Sequence, residues 1–406
     1  MIADLTEIRA VDGADVYKGD VHAGRLRRMG DHVEFSYDGS YRREGGPAVA
    51  STLPVRNEPY ITAGGAVPAF FAGLLPEGAR LHAIVQGAKI SADDEMSMLL
   101  AVAGDAVGDV TVVPVGERPR DPGESTGVQD PGAVSFADMF RRSISTVDPQ
   151  FDTALPGVQD KLSDSLISFP VAAGGGPAIL KLSPRRYPRL VENEAFFLGM
   201  AASCGFRVPP FRIVHDRRGV SGLLVERFDR VVRSGGVGRI AQEDACQLSG
   251  RWPADKYRLS MRSVVGRVAS LVSAPAAAVL ELVRLTAFSY LIVNGDMHAK
   301  NISVRWLPSE RIVELTPVYD LVSTRPYPLD HLLALHVDGR RNRIRGGDLV
   351  RFAESFGIPP RLTRRKLLEI CDRATSWIDR VGEIGFDPGT TGKLQQDMVA
   401  RAEELR

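Results

Sequence analysis

Cysteine is scarce in this chain, with only Cys204, Cys246 and Cys371 among 406 residues. Three cysteines far apart supply neither a disulfide framework nor paired zinc-ligand spacing, so a reducing cytoplasm is the expected compartment. Long hydrophobic runs are missing as well: none approaches the roughly eighteen residues of a membrane span. The start, Met1-Ile2-Ala3-Asp4-Leu5, lacks the basic and apolar regions of a secretory signal, so neither export nor membrane association is expected. Charge of one sign is absent, because 51 Lys and Arg face 50 Asp and Glu. No global field therefore argues for nucleic acid or an anionic surface, which leaves only local patches. There is no internal repeat of useful period. A Gly-x4-Gly-Lys-Ser/Thr phosphate loop is also missing, which argues against a P-loop NTPase. What is present, 44% hydrophobic and 25% charged residues, is the composition of an ordinary globular protein.

The pattern of turns and apolar runs divides the chain. Val33-Glu34-Phe35-Ser36-Tyr37 alternates as a strand does, and Asp38-Gly39 after it carries a hairpin signal. A helical run is expected from Pro68 to Gln86 and a short strand at Val110 to Val113. Gly116 to Gly132 is rich in Pro, Gly, Asp, Glu and Ser and reads as a linker. Beyond it, Leu162 to Phe169 and Ala178 to Leu182 read as strands, Val191 to Cys204 as a helix, and Phe211 to Val214 and Gly222 to Glu226 as two further strands. After Asp229 the pattern turns helical, with Met261 to Val272, Ala276 to Val293 and Leu362 to Val381. The expected units are a β-rich N-terminal subdomain (1–115), a linker (116–135), a mixed lobe (136–228) and a helical lobe (229–406).

The segment richest in chemistry is Asn294-Gly295-Asp296-Met297-His298-Ala299-Lys300-Asn301. It follows a strongly apolar helix and precedes a hairpin, Ile302 to Trp306 with Arg311 to Leu315, that ends at Tyr319-Asp320. A helix, a loop with Asp and Asn five apart, a hairpin and a second Asp is how protein kinases bring three groups to one metal-nucleotide site. An Asp is needed to accept the proton of the attacking hydroxyl, and a separate Asn and Asp to hold magnesium on the phosphates. Asp and Asn are also common turn residues, so the spacing alone does not decide between catalysis and loop structure. A His298 metal site is disfavoured, since no His-Glu-x2-His stands nearby and His331 and His336 fall on a strand-like run. Upstream, Lys181 ends a strand and Glu194 follows in the next helix, the pairing expected of a phosphate-binding lysine and its carboxylate. Gly157-Val158-Gln159-Asp160-Lys161 precedes the mixed lobe where a phosphate-covering loop would lie.

Taken in order, Gly157 to Lys161, Ile179-Leu180-Lys181, Glu192-Asn193-Glu194, Val225 to Arg230, Gln242 to Gln247, Asp296 to Asn301 and Tyr319-Asp320 resemble the motifs of HipA-type serine/threonine kinases, the toxins of bacterial HipBA toxin–antitoxin modules. Phe70 to Gly78 and Ala103 to Gly108 extend the resemblance to the N-terminal unit. It implies an α+β, protein-kinase-like two-lobed fold: a mixed N-lobe carrying an extra β-rich subdomain, and a mainly α-helical C-lobe. It implies ATP and Mg2+ as cofactors, with Asp296 the catalytic base, Asn301 and Asp320 the magnesium ligands, and Lys181, supported by Glu194, the phosphate-binding lysine. Glu226 and Phe228 would lie at the hinge beside adenine, Asp229 near the ribose, and His298 in the same pocket, with Gly157, Gln159 and Lys161 over the phosphates. The implied partners are a HipB-like helix-turn-helix antitoxin dimer, operator DNA through that complex, and a protein substrate such as an aminoacyl-tRNA synthetase, whose phosphorylation stalls translation and arrests growth.

One position departs from the pattern. Relatives commonly carry a serine three residues before the Gly of the Gly-Val-Gln segment, where autophosphorylation inactivates them, and this chain has Ala154 there. That switch is not expected, and neither Thr153 nor Ser163 is expected to replace it. An alternative is a catalytically weak co-repressor acting through its antitoxin and DNA, with Arg340, Arg341, Arg343 and Arg345, or Arg364, Arg365 and Lys366, as basic clusters. Retention of Asp296, Asn301 and Asp320 favours the enzyme. A small-molecule kinase of the aminoglycoside or choline type would explain neither the N-terminal unit nor Gly157 to Lys161.

Overall fold

Alternation builds the first sheet. Along β3 (His32–Tyr37), Val33, Phe35 and Tyr37 are buried while His32, Glu34 and Ser36 are half-buried, as period-two geometry requires. With β1 (Gly13–Lys18), β2 (Val21–Met29), β4 (Tyr60–Ala63) and β5 (Val110–Pro114) it forms an antiparallel sheet in the order β4-β3-β2-β1-β5. The inner face packs Leu26 and Phe35 against Phe71, Met96 and Leu99, giving this unit a core of its own. The computed structural model describes residues 11–406 apart from 79–80, 82–84, 86–89, 92, 103–105, 120–126, 129, 144–166, 174–175, 235 and 308–309.

The second sheet runs β6-β7-β8-β10-β9, from β6 (Gly127–Val128), β7 (Ile167–Ala173), β8 (Gly176–Leu182), β9 (Phe211–His215) and β10 (Ser221–Glu226). Helix Leu190–Ser203 packs against it and buries Phe196, Phe197, Leu198 and Met200. A hairpin of β11 (Arg230–Arg233) and β12 (Gly236–Arg239) follows. A third small sheet combines β13 (Gln242–Asp244), β14 (Ser303–Leu307) and β15 (Ile312–Leu315). The remainder is helical. Helix Pro275–Leu291 lies at its centre, in contact with helices Met261–Ala269, Gly346–Glu354, Pro360–Ile378 and Pro388–Leu405. Each large apolar side chain it buries contributes roughly 1.5–3 kcal/mol relative to exposure. Among the described residues no helix is long and apolar enough to cross a membrane.

Four local expectations are corrected. Asp38 does not close a hairpin: its carboxylate accepts from the amides of Ser40 and Tyr41 and caps the short helix Gly39–Arg43. The helical run from Pro68 is interrupted after Ala72, where residues 73–77 turn toward the loop at Asp296–Asn301, and helix is seen again at Gly78, Leu81 and Val85. The linker is not wholly irregular, since Gly127–Val128 pairs in parallel with Ala172 and Ala173 of β7. His331 and His336 do not share a strand; only an isolated bridge joins His336 to Ser260.

Candidate active site

The central helix ends at Leu291, and two residues on the backbone turns left-handed at Val293, with φ of 58°. A β-branched residue disfavours that region, and such a conformation costs about 1–3 kcal/mol. Burial of Val293 and two bonds offset it, because Thr324 donates to the Val293 carbonyl from both its amide and its hydroxyl at 3.0 Å. The same hydroxyl accepts from the Gly295 amide at 3.1 Å. Side-chain atoms on Gly295 are excluded, since a Cβ there would lie 2.2 Å from the Asp330 carbonyl.

That turn launches the loop Asn294 to Asn301. Asn294 Oδ1 accepts from the Asp296 amide at 2.9 Å, and the Asp296 carbonyl accepts from the His298 amide at 2.8 Å and from Asn301 Nδ2 at 3.1 Å. Asn301 is thereby held beside Asp296, and its amide oxygen is left for another partner. The Asp296 carboxylate is only 7% exposed and accepts a bond from the Tyr257 hydroxyl. His298 stands edge-on to the Tyr257 ring, with centroids 5.0 Å apart.

Across the cleft, β8 presents the buried Lys181. Its ammonium donates to Glu194 Oε1 at 2.5 Å and also to Asp320. Burial opposes its charge, but the Asp320 and Glu194 carboxylates hold its pKa above the ordinary lysine value. Burial pushes the Glu194 carboxyl up; Lys181 pulls it back, while the neighbouring Asp320 charge adds to the rise. Asp320 sits in the left-handed region with φ of 54°, which aspartate tolerates better than most residues. The chain after it is clamped by the buried Asn193, whose Nδ2 donates to the Ser323 carbonyl and whose Oδ1 accepts from the Ser323 amide, both at 2.9 Å.

The hinge follows β10. Glu226 is exposed at its end, and the Phe228 ring lies 5.7 Å from that of Tyr319. Ile179, Val225, Val322 and Val107 complete an apolar side of a cleft of about 260 Å³ that Lys181, Glu226, Phe228, Asp296, His298, Asn301 and Asp320 all line. Asp229 lines it too, with its carboxylate tied to its neighbours. Its buried carboxylate is already bound by Arg227 at 2.8 and 2.9 Å, by Arg230 at 2.7 Å and by the Gly108 amide at 2.9 Å. Although burial opposes ionisation, Arg227 and Arg230 hold its pKa well below the usual carboxylate range. Those bonds join the hinge to the N-terminal unit through the Gly108 amide. Gly157, Gln159 and Lys161 lie outside the described residues, as do Thr153, Ala154 and Ser163. A larger cavity of about 370 Å³ lies on the far side of Asn301–Ser303. It is mostly apolar and gathers no comparable set of converging carboxylates and cations, so the smaller cleft is the candidate site.

Several cleft residues escaped the sequence reading. Glu77 reaches in from the N-terminal unit and accepts from Lys256 Nζ at 2.7 Å. Lys300 turns the other way, donating to the Gly73 carbonyl at 3.1 Å and to Asp244 at 2.8 Å. Its pKa is raised: burial works against the charge, and Asp244 and Glu77 more than restore it. Gln242 lines the cleft from β13, and its buried Oε1 has no hydrogen-bond donor among the described residues. Gln242, Glu77 and Lys300 stand in the motifs Gln242 to Gln247, Phe70 to Gly78 and Asp296 to Asn301 without having been given a role; Lys256 and Tyr257 come from an element that only packing brings to the cleft.

Two lobes with a hinge cleft between them, and a lysine–glutamate pair facing an Asp/Asn loop, define a protein of the kinase-like fold class. Comparison with known proteins takes this one step further. Residues 153–378 match the HipA-like C-terminal domain and residues 14–113 the HipA N-terminal domain. The chain belongs to the HipA family. It is 30% identical over 381 residues to the candidate kinase Y4mE of Sinorhizobium fredii, covering 88% of this chain and 89% of that one. It is 33% identical over 275 residues to the candidate kinase Y4dM of the same organism, covering 64% of this chain and 63% of the relative. In fold it matches HipA of Shewanella oneidensis MR-1, solved with HipB and operator DNA, with a TM-score of 0.75, 23% identity and 96% of each chain covered.

Proposed function

We propose that this protein is an ATP-dependent serine/threonine kinase acting as a HipA-like toxin. The observation that carries the reading is the convergence of Lys181, Glu194, Asp296, Asn301 and Asp320 on one cleft with an apolar hinge side. Adenine fits between Phe228 and the aliphatic side chains, beside the backbone of Glu226, and Lys181 serves the phosphates. Asn301 and Asp320 offer the hard oxygen donors that Mg2+ prefers, and they flank the same cleft, so the residues fit the ion. When bound, the ion neutralises phosphate charge. Asp296 accepts the proton of the substrate hydroxyl as that oxygen bonds to the γ-phosphorus; the bond to the bridging oxygen breaks and ADP leaves. Asp229 acts indirectly, by fixing the hinge.

The target in this reading is a translation component, with an aminoacyl-tRNA synthetase as the leading case. The partners are a HipB-like helix-turn-helix antitoxin dimer and, through it, operator DNA; the Shewanella structure with HipB and operator DNA supports this. Separate sheets support the boundaries at residues 115 and 228, while β6 carries the second sheet back into 116–135.

The test is transfer of label from γ-labelled ATP into a bacterial lysate. Asp296→Asn preserves shape but removes the proton acceptor, so transfer should fall by about two to four orders of magnitude while ATP binding survives. Expression without antitoxin should slow growth, and Asp296→Asn should relieve it. Equal label transfer by both forms would sink the assignment.

A further inference from the structure

Tyr257 lies on the connection between helix Ala245–Leu248 and helix Met261–Ala269, outside every motif of the catalytic loop. Its hydroxyl nevertheless donates to Asp296 Oδ1, and its ring rests edge-on against His298. The connection is anchored on both sides. The Lys256 carbonyl accepts from the Ala299 amide of the catalytic loop at 3.1 Å, while Lys256 Nζ binds Glu77 of the N-terminal unit at 2.7 Å. Further back, Trp252 Nε1 donates to the Val67 carbonyl at 3.2 Å.

An aspartate carboxylate rotates over a broad range about its last torsion, so its two oxygens exchange unless something distinguishes them. Here one oxygen is held by a phenol whose backbone is tied to the loop it acts on. We propose that Tyr257 is a positioning residue for phosphoryl transfer: its hydroxyl, bound to Asp296 Oδ1, holds the carboxylate in the orientation in which it meets the substrate hydroxyl. The Glu77–Lys256 pair makes the N-terminal unit part of that alignment. This rests on the kinase reading and adds to it a residue that acts through Asp296.

Tyr257→Phe keeps the ring against His298 and removes only the hydroxyl. A hydrogen bond to a charged group is worth enough for its loss to lower the maximal transfer rate roughly tenfold or more. The KM for ATP and the thermal midpoint should not move. The assay is label transfer from γ-labelled MgATP into a fixed bacterial lysate, with ATP varied. A double-mutant cycle supplies the second readout: since Tyr257 works through the Asp296 carboxylate, adding Tyr257→Phe to Asp296→Asn should lower the residual rate no further. An undiminished rate in Tyr257→Phe while Asp296→Asn is inactive overturns the role of Tyr257 alone. So does an equal further loss in the double variant, or a loss expressed wholly in the KM for ATP or the thermal midpoint. A wild-type rate in Asp296→Asn sinks the kinase reading and this role with it.

Discussion

Lys181 Nζ lies 2.5 Å from Glu194 Oε1, and the same ammonium also serves Asp320, so one cation joins a strand, a helix and the chain beyond the hairpin. The Lys181 and Glu194 side chains are 8% and 2% exposed, and removing either partner strands the other. Lys181→Met should lower stability by about 3 kcal/mol at neutral pH, the low end for breaking a buried pair. The loss should shrink toward pH 5, because burial already raises the Glu194 pKa and the stranded carboxyl takes up a proton. Denaturant unfolding at the two pH values checks this, with ATP affinity lost at both.

Magnesium dependence should separate Asp320 from Asp296. Magnesium keeps several waters and takes few protein oxygens, so the loss of one ligand is poorly compensated. Asp320→Ala and Asn301→Ala are each expected to abolish the gain in ATP affinity that magnesium gives, measured by calorimetry with and without the ion. Full magnesium-dependent affinity in Asp320→Ala would show that the residue after the hairpin is not a ligand.

A second pH effect belongs to the junction between units. Glu243 is buried and accepts from the Ser51 amide at 2.7 Å and the Ser51 hydroxyl at 2.8 Å. Burial pushes its carboxyl up to about 7 from an ordinary 4.5, with the Ser51 bonds pulling it back. The folded chain therefore holds this proton more tightly than the unfolded one. The resulting stability is full below pH 4.5 and is lost as pH rises through about 7. Over that window the contribution falls by roughly 3 kcal/mol. Glu243→Gln should flatten this part of the stability profile.

Gly295 permits no substitution without moving backbone. A Cβ would meet the Asp330 carbonyl at 2.2 Å and the Leu332 carbonyl at 3.1 Å. Neither is the end of a flexible side chain, so Gly295→Ala should displace the catalytic loop. A lower melting temperature together with lost transfer is the expected result.

The legible parts of the site were those whose chemistry lies in short runs. Asp296 and Asn301 share one loop, and Lys181 sits in a strand whose alternation is readable. Glu194 follows in a helix that starts at Leu190, one residue before the sequence placed it. Most strand and helix positions in the described parts of both lobes were legible for the same reason, since period and burial coincide; residues 162–166 of the expected strand Leu162 to Phe169 lie outside the described residues, and the strand seen is Ile167–Ala173. The misread places had local causes that period alone does not show: Asp38 caps the amides two and three residues on, and the run after Ala72 is interrupted at residues 73–77. Asp229 shows the limit most clearly. Its neighbours Arg227 and Arg230 stand in the same motif, but only the fold reveals that both close on its carboxylate and that Gly108 joins them.

The turn at Phe70–Glu77 bears on how this chain can change over generations. Its Phe70 carbonyl accepts from Gln247 Nε2 at 2.9 Å, its Gly73 carbonyl accepts from Lys300, and a Cβ on Gly73 would come within 2.5 Å of Gln247. The two halves are therefore not interchangeable cassettes. Recombination between them would part Lys300 and Gln247 from the carbonyls they were fitted to, and drift in this turn must be answered at positions 247, 256 and 300. The halves are expected to be inherited as a pair, with substitutions on one side tracked by substitutions on the other.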